Sequence, residues 1–120
     1  MPIERFACLV AAGGIMLALL FVTSHPVPVG WDKFAHFAAF ALITALLLYG
    51  TEGRAPLAVL AGVLAFAALD EVHQIFMPGR AAELLDFVAD AAAAAVVVCG
   101  LLSIRRNSRR KPICAELSRP

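Results

Sequence analysis

The chain has 120 residues, of which 62% are hydrophobic and 16% charged, and its formal net charge is +1. Soluble domains are about 45–50% apolar and about 25% charged, so this composition excludes an ordinary soluble domain. The excess apolar side chains have to face lipid. The small net charge hides a basic segment near the C-terminus that contains Arg105, Arg106, Arg109, Arg110 and Lys111. Directly after an apolar run, such a segment is typical of a topology anchor on anionic lipid rather than of a nucleic-acid site.

Four apolar segments reach the length of roughly 20 residues that a helix needs to cross a bilayer. We predict spans at about residues 6–23, 32–49, 56–76 and 84–104. A cleaved signal peptide is the alternative for the first span, but the nearly neutral Glu4-Arg5 is unlike the basic start of a signal peptide. The short connections predict an all-α fold, a compact antiparallel bundle of four transmembrane helices forming a single domain over residues 1–104.

The basic residues predict the orientation of this bundle. Residues 105–120 form a basic tail that belongs in the cytoplasm, and four spans then place the N-terminus there too. We therefore predict a multi-pass protein of the bacterial inner membrane with both termini cytoplasmic. The loops around Trp31 and Pro78 to Arg80 face outward in this topology.

Ionisable residues converge at one depth of the predicted bundle. Each of three helices has one such residue about 22–24 Å from the cytoplasmic end of its span, if each residue adds a rise of 1.5 Å. These residues are His36, Asp70 and Asp90. One turn farther out lie Asp32 and Lys33, His73 and Asp86. Ionisable groups at membrane depth are costly and normally face a protein interior or a wet cavity, so this layer is the predicted functional site.

The predicted binding residues lie on the last three spans and the connections between them. They are Asp32, Lys33, His36, Asp70, Glu71, His73, Gln74, Arg80, Asp86 and Asp90. The alternative explanation is structural, since hydrogen bonds and ion pairs between helices would lock the bundle. Arg80 could equally be an interfacial anchor on lipid phosphate.

The sequence favours a non-enzymatic role. If a reaction is catalysed, His36, Asp70 and His73 are the candidate acids and bases, because burial and opposite charge tune such groups. Two histidines and several carboxylates would suit zinc or manganese, but no spacing typical of a metal site is present. We therefore predict neither a metal nor a cofactor.

Several short motifs together resemble the VanZ-like family of small bacterial membrane proteins. They are Asp32-Lys33-x-x-His36-Phe37, Asp70-Glu71-Val72-His73-Gln74, Pro78-Gly79-Arg80, and Asp86 followed four residues later by Asp90. The resemblance covers about residues 31–100. The family pattern has Asn at the position of Asp90 and a Gly shortly after it, where this chain continues with alanines.

The resemblance implies a cell-envelope protein, since the founding member of the family is associated with resistance to the glycopeptide teicoplanin. It implies no particular reaction. The leading hypothesis is an outward-facing polar pocket that recognises an envelope lipid headgroup or a lipid-linked precursor, with Arg80 and Lys33 meeting an anionic group. The rivals are an enzyme acting on lipid-linked phosphates and a scaffold whose polar layer only locks the bundle.

Overall fold

The computed structural model describes residues 1–21, 31–78 and 82–116, with the backbone alone at residue 32 and residues 110–116. These residues form four helices, α1 (Ile3–Phe21), α2 (Trp31–Gly50), α3 (Pro56–Ile75) and α4 (Leu84–Glu116), and the described part of the chain contains no strand. Each helix contains a stretch long and apolar enough to cross a membrane. The prediction of an all-α protein with four candidate spans is confirmed. The predicted loop after the first span falls mostly on residues 22–30, outside the described residues.

The fourth helix extends well past the predicted end of its membrane span. Ile104 was the predicted last residue of the span, whereas α4 continues over 33 residues to Glu116. At 1.5 Å per residue this is about 50 Å, longer than a hydrocarbon core of about 30 Å. Hydrophobicity falls at Arg105, but arginine and lysine are good helix formers, so the helix can continue beyond the apolar segment.

Large apolar side chains cover the outside of the bundle. Phe6, Leu17 and Phe21 of α1 are more than half exposed, and Ala12 is the one buried residue of that helix among those described. Similar exposed residues occur on every helix, including Leu57 and Val96. A surface of this kind is unfavourable in water and suits hydrocarbon, so the exterior agrees with a membrane location.

The second helix is the centre of the fold, because α2 packs more extensively against the other helices than any other helix does, chiefly against α1 and α4. The buried core lies between α2, α3 and α4, and side chains from the second half of α1 pack against it. Its members are Phe40, Ile43, Val63, Phe66, Ala67, Ala93 and Ala94. The alanines let α4 approach closely where lipid supplies no hydrophobic drive for helices to associate.

A tight turn connects α2 to α3 and also contacts α4. The Thr51 hydroxyl donates a hydrogen bond to the Leu47 carbonyl at 2.7 Å, and the Gly53 amide donates to the Leu48 carbonyl at 2.7 Å. Glu52 and Gly53 both have a φ of 57°. A Cβ at Gly53 would lie 2.5 Å from Nη2 of Arg105, so this position requires glycine for its conformation and for its space.

The substitution Gly53→Ala should therefore destabilise the protein by about 1–3 kcal/mol, because alanine is strained at positive φ and displaces Arg105. Thermal unfolding of the purified protein in detergent measures the effect. Gly100→Ala is the matched control, since nothing lies within 4 Å of a Cβ at this helical position. It should be neutral or stabilise by about 0.5–1 kcal/mol, and equal losses in both variants would contradict the account of the turn.

Candidate functional site

A lysine joins the beginnings of α2 and α4. Lys33 Nζ donates to Glu83 Oε2 at 2.7 Å and to Asp86 Oδ1 at 3.0 Å. The side chain of Asp86 is only 4% exposed, whereas those of Lys33 and Glu83 are 40% and 54% exposed. Lys33 thus supplies the charge that allows Asp86 to be buried at the start of its helix. Its ammonium is already engaged by two carboxylates of the same chain.

A second contact joins the same two helices one turn deeper. His36 Nδ1 lies 3.5 Å from Asp90 Oδ1, and both side chains are buried. The imidazole also stacks on Phe40, with ring centroids 6.4 Å apart and an angle of 10° between the planes. Lys33, His36 and Phe40 recur at the spacing of one helix face, so a single stripe of α2 provides both polar contacts and the top of the core.

The third helix contributes a buried carboxylate and a buried amide. Gln74 Nε2 donates to Asp70 Oδ2 at 2.9 Å, and the two side chains are 2% and 1% exposed. Their spacing of four residues lets the bond form within α3. Asp70, Asp86 and His36 are all close enough to Asp90 to interact with it electrostatically. The side chains from three helices therefore meet in one place.

Buried acceptor oxygens remain at this meeting point. Oδ1 of Asp70 and Oδ2 of Asp90 have no hydrogen-bond partner among the described residues, and Oδ1 of Asp90 has only the long contact with His36 Nδ1 at 3.5 Å. A buried oxygen of this kind is costly unless a proton, a water or a ligand donor satisfies it. The arrangement is therefore suited to accept hydrogen bonds from a group that carries N–H or O–H donors.

Glu71 contacts the start of α4 although it lies about 100° around the helix from Asp70. Its Oε2 accepts a hydrogen bond from the backbone amide of Glu83 at 3.0 Å, and it interacts electrostatically with Asp86 and His36. An acidic group beside the free amides of a helix N-terminus is favourable. Glu71 thereby fixes the segment that leads into α4 against α3.

His73, another predicted site residue, contacts α1. Its ring lies against Phe21 at the end of α1, with centroids 6.4 Å apart and an angle of 70° between the planes. Nδ1 of His73 is buried and has no hydrogen-bond partner among the described residues. Of the other predicted site residues, Arg80 and the side chain of Asp32 lie outside the described residues.

We call the residues that the structure brings together the polar layer. They are Lys33, His36, Asp70, Glu71, Gln74, Glu83, Asp86 and Asp90. Glu83 was not among the predicted binding residues, although its place directly before α4 and its charge were a usable signal. Five carboxylates face one lysine and one histidine, so the described part of the layer is acidic. Over the same described residues, no three His, Cys, Asp or Glu side chains are grouped to hold a metal ion.

The two acids of α4 should respond oppositely to conversion into amides. Asp90→Asn removes a buried charge that lies near two other acids, and the amide carbonyl can still face His36. We expect a higher unfolding temperature, by about 4 °C or more if the gain is about 1 kcal/mol. Asp86→Asn removes the buried partner of Lys33 and should lower the unfolding temperature.

Thermal unfolding of both variants in the same detergent checks this pair. A lower unfolding temperature for Asp90→Asn would mean that its charge is compensated better than the described contacts indicate. An unchanged temperature for Asp86→Asn would mean that the ion pair with Lys33 contributes little.

Comparison with known proteins agrees with this architecture. The sequence model of the VanZ/LLP1 family matches residues 6–105, which cover α2 and α3, most of α1 and α4, and the whole polar layer. No curated protein and no solved structure shows significant similarity to the chain. With most of its length matched, this multi-helix membrane protein belongs to the VanZ/LLP1 family.

Proposed function

We propose that the chain is an antiparallel four-helix bundle of the bacterial inner membrane, with both termini in the cytoplasm. The support is the distribution of basic residues. Arg5, Arg54 and Arg105 group at the end of the bundle opposite Lys33, and the exposed Arg106 and Arg109 continue beyond them. Basic residues next to spans favour the cytoplasmic side, so the polar layer would lie just beneath the outer surface.

Single cysteines at the two ends test this orientation. In a variant with Cys8, Cys99 and Cys114 replaced by Ser, Trp31→Cys should react with a membrane-impermeant maleimide applied to intact spheroplasts. Arg54→Cys should react only after the membrane is opened. Both positions are strongly exposed, at 67% for Trp31 and 78% for the Arg54 side chain, so access depends on the side of the membrane. The reverse labelling pattern would overturn the orientation.

We further propose that the polar layer recognises the headgroup of an envelope lipid or of a lipid-linked precursor. One observation carries this proposal, namely the buried carboxylate oxygens of Asp70 and Asp90 that lack a donor. The hydroxyl and ammonium groups of such headgroups would satisfy these oxygens as an ordered water does. Burial also strengthens each of these hydrogen bonds relative to water.

The role of Lys33 in the proposed site differs from the role that the sequence predicted for it. Because its ammonium is held by Glu83 and Asp86, Lys33 would shape the site, and Arg80 would meet the anionic part of the ligand. The Gln74 amide holds one oxygen of Asp70 and leaves the other for the ligand. His36 would orient Asp90 from the neighbouring helix.

Ligand-induced thermal stabilisation tests recognition directly. The purified protein would be titrated with phosphatidylethanolamine, phosphatidylglycerol, a polyprenyl phosphate and a polyprenyl diphosphate sugar. A ligand at 100 times its dissociation constant stabilises the folded state by about 2.7 kcal/mol. Asp70→Asn should raise the dissociation constant at least tenfold and keep the bond from Gln74, because the amide oxygen still accepts it.

Two variants complete the experiment. Arg80→Ala should weaken binding of the anionic members of the panel while the protein stays folded. Glu4→Gln, an exposed acid at the opposite end, is the control and should change nothing. Full ligand binding by both Asp70→Asn and Arg80→Ala would refute a recognition role for the layer.

The buried pair of His36 and Asp90 is the observation that favours an enzyme as the second candidate. Such a pair has the chemistry of a general acid or base acting on a lipid-linked phosphate. Release of phosphate or sugar from the same panel, measured with and without EDTA, separates an enzyme from a binding protein. Loss of that release in His36→Gln at normal stability would assign the reaction to this pair.

The contacts of Lys33, Glu71 and His36 between helices favour the third candidate, a scaffold whose polar layer locks the bundle. In that case His36→Gln would lower stability and function together, and no lipid of the panel would stabilise the protein. A role in teicoplanin resistance is supported by the family alone. The inhibitory concentration of teicoplanin for a susceptible host that expresses the chain measures it.

A further inference from the structure

A second polar group lies at the end of the bundle opposite the polar layer. The guanidinium of Arg105 donates from Nη1 to the Gly53 carbonyl at 2.6 Å and from Nη2 to the Glu52 carbonyl at 2.7 Å. The Glu52 carboxylate pairs with Arg5 of α1 and, at 2.8 Å, with Arg54. These contacts bring the beginning of α1, the end of α2 and the middle of α4 together.

A cavity of about 500 Å³ opens beside these residues. Its wall is apolar, and its rim is polar. The wall consists of Ala45, Leu48, Val97, Leu101 and Ile104, and the rim of Arg5, Tyr49, Glu52, Gly53 and Arg105. The lining positions of α2 and of α4 each follow helical spacing, so the cavity is the space between one face of each helix. Among the described residues α1 and α4 do not pack on each other, which leaves this space uncovered.

The rim carries an excess of positive charge. Glu52 is shared between Arg5 and Arg54, whereas Arg105 bonds to carbonyl oxygens and forms no ion pair with a described carboxylate. A guanidinium has five N–H donors, so Arg105 keeps several for another acceptor. The fixed fork of arginine matches the oxygens of a phosphate group.

We propose that this cavity binds an anionic phospholipid of the adjacent leaflet, with an acyl chain in the apolar groove and the phosphate between Arg105 and Arg5. The volume lies within the roughly 300–1,000 Å³ of ligand pockets. Basic pockets between membrane helices recognise anionic headgroups in this way. The site is separate from the polar layer, and its test does not depend on the function proposed for that layer.

The positions next to the cavity provide matched controls. Arg105→Gln removes the charge on the rim, and Arg109→Gln removes a charge of the same helix that does not line the cavity. Val97→Phe fills the apolar groove and leaves every arginine in place. Val96→Phe adds the same ring at a position that is 63% exposed and outside the cavity.

Native mass spectrometry of the full chain, released from detergent micelles containing phosphatidylglycerol or phosphatidylcholine, measures the bound lipid. We expect one retained phosphatidylglycerol and at least tenfold weaker retention of phosphatidylcholine. Arg105→Gln and Val97→Phe should each reduce phosphatidylglycerol retention at least tenfold, and both controls should retain it. Glycerol 3-phosphate should compete at least tenfold more weakly, because it lacks the acyl chains.

Three results would overturn the proposal. Equal retention of the two lipids would show that charge is not recognised. Equal losses in Arg109→Gln and Arg105→Gln would show diffuse attraction by the basic helix rather than a site. Competition by glycerol 3-phosphate as strong as by the lipid would show a soluble phosphate site.

If Arg105→Gln does not fold, the result for Val97→Phe tests the proposal. Full retention of phosphatidylglycerol by that variant would show that the groove does not bind the lipid.

Discussion

The burial of carboxylates between helices is the constraint on which the rest of the structure depends. Asp86 and Asp90 lie on one face of α4 and Asp70 lies on α3, and all three are so fully buried that a charge without a partner is costly. Lys33 relieves this cost for Asp86, and His36 lies against Asp90. Because both come from α2, the bundle forms with α2 beside α4 and with the two helices running in the same direction. The contact of Arg105 with Glu52 and Gly53 fixes the same pairing at the other end.

The sequence predicted what depends on length and periodicity. Four spans followed from the run length of apolar residues, and the common depth of His36, Asp70 and Asp90 followed from the constant rise of a helix. The rotation of each helix about its axis could not be predicted, because side-chain packing sets it. The contact of His73 with Phe21 was not predicted for this reason, since nothing in the sequence indicated where α1 packs. The length of α4 could not be predicted for another reason, because hydropathy indicates the end of an apolar span and not the end of a helix.

The two ends of the bundle have opposite chemistry. The polar layer is acidic among the described residues and leaves acceptor oxygens without donors. The opposite end has three arginines around Glu52 and leaves guanidinium donors without acceptors. The sequence predicts that the arginines of the tail form one anchor, yet Arg105 reaches the turn after α2, and it does so alone among the tail arginines whose side chains are described. The positive φ of Glu52 and Gly53 accompanies this contact, in which both carbonyls accept from its guanidinium.

Stability and recognition place different demands on the polar layer. Lys33 and the Oε2 atom of Glu71 have partners at the beginning of α4 and hold the helices in register. Oδ1 of Asp70 and Oδ2 of Asp90 are buried more deeply and have no hydrogen-bond partner among the described residues. A layer that served only to lock the bundle would gain stability if Asn replaced Asp90. A second buried acid beside Asp70 is expected to lower stability, and that cost is understandable if both carboxylates face a donor-bearing ligand during function.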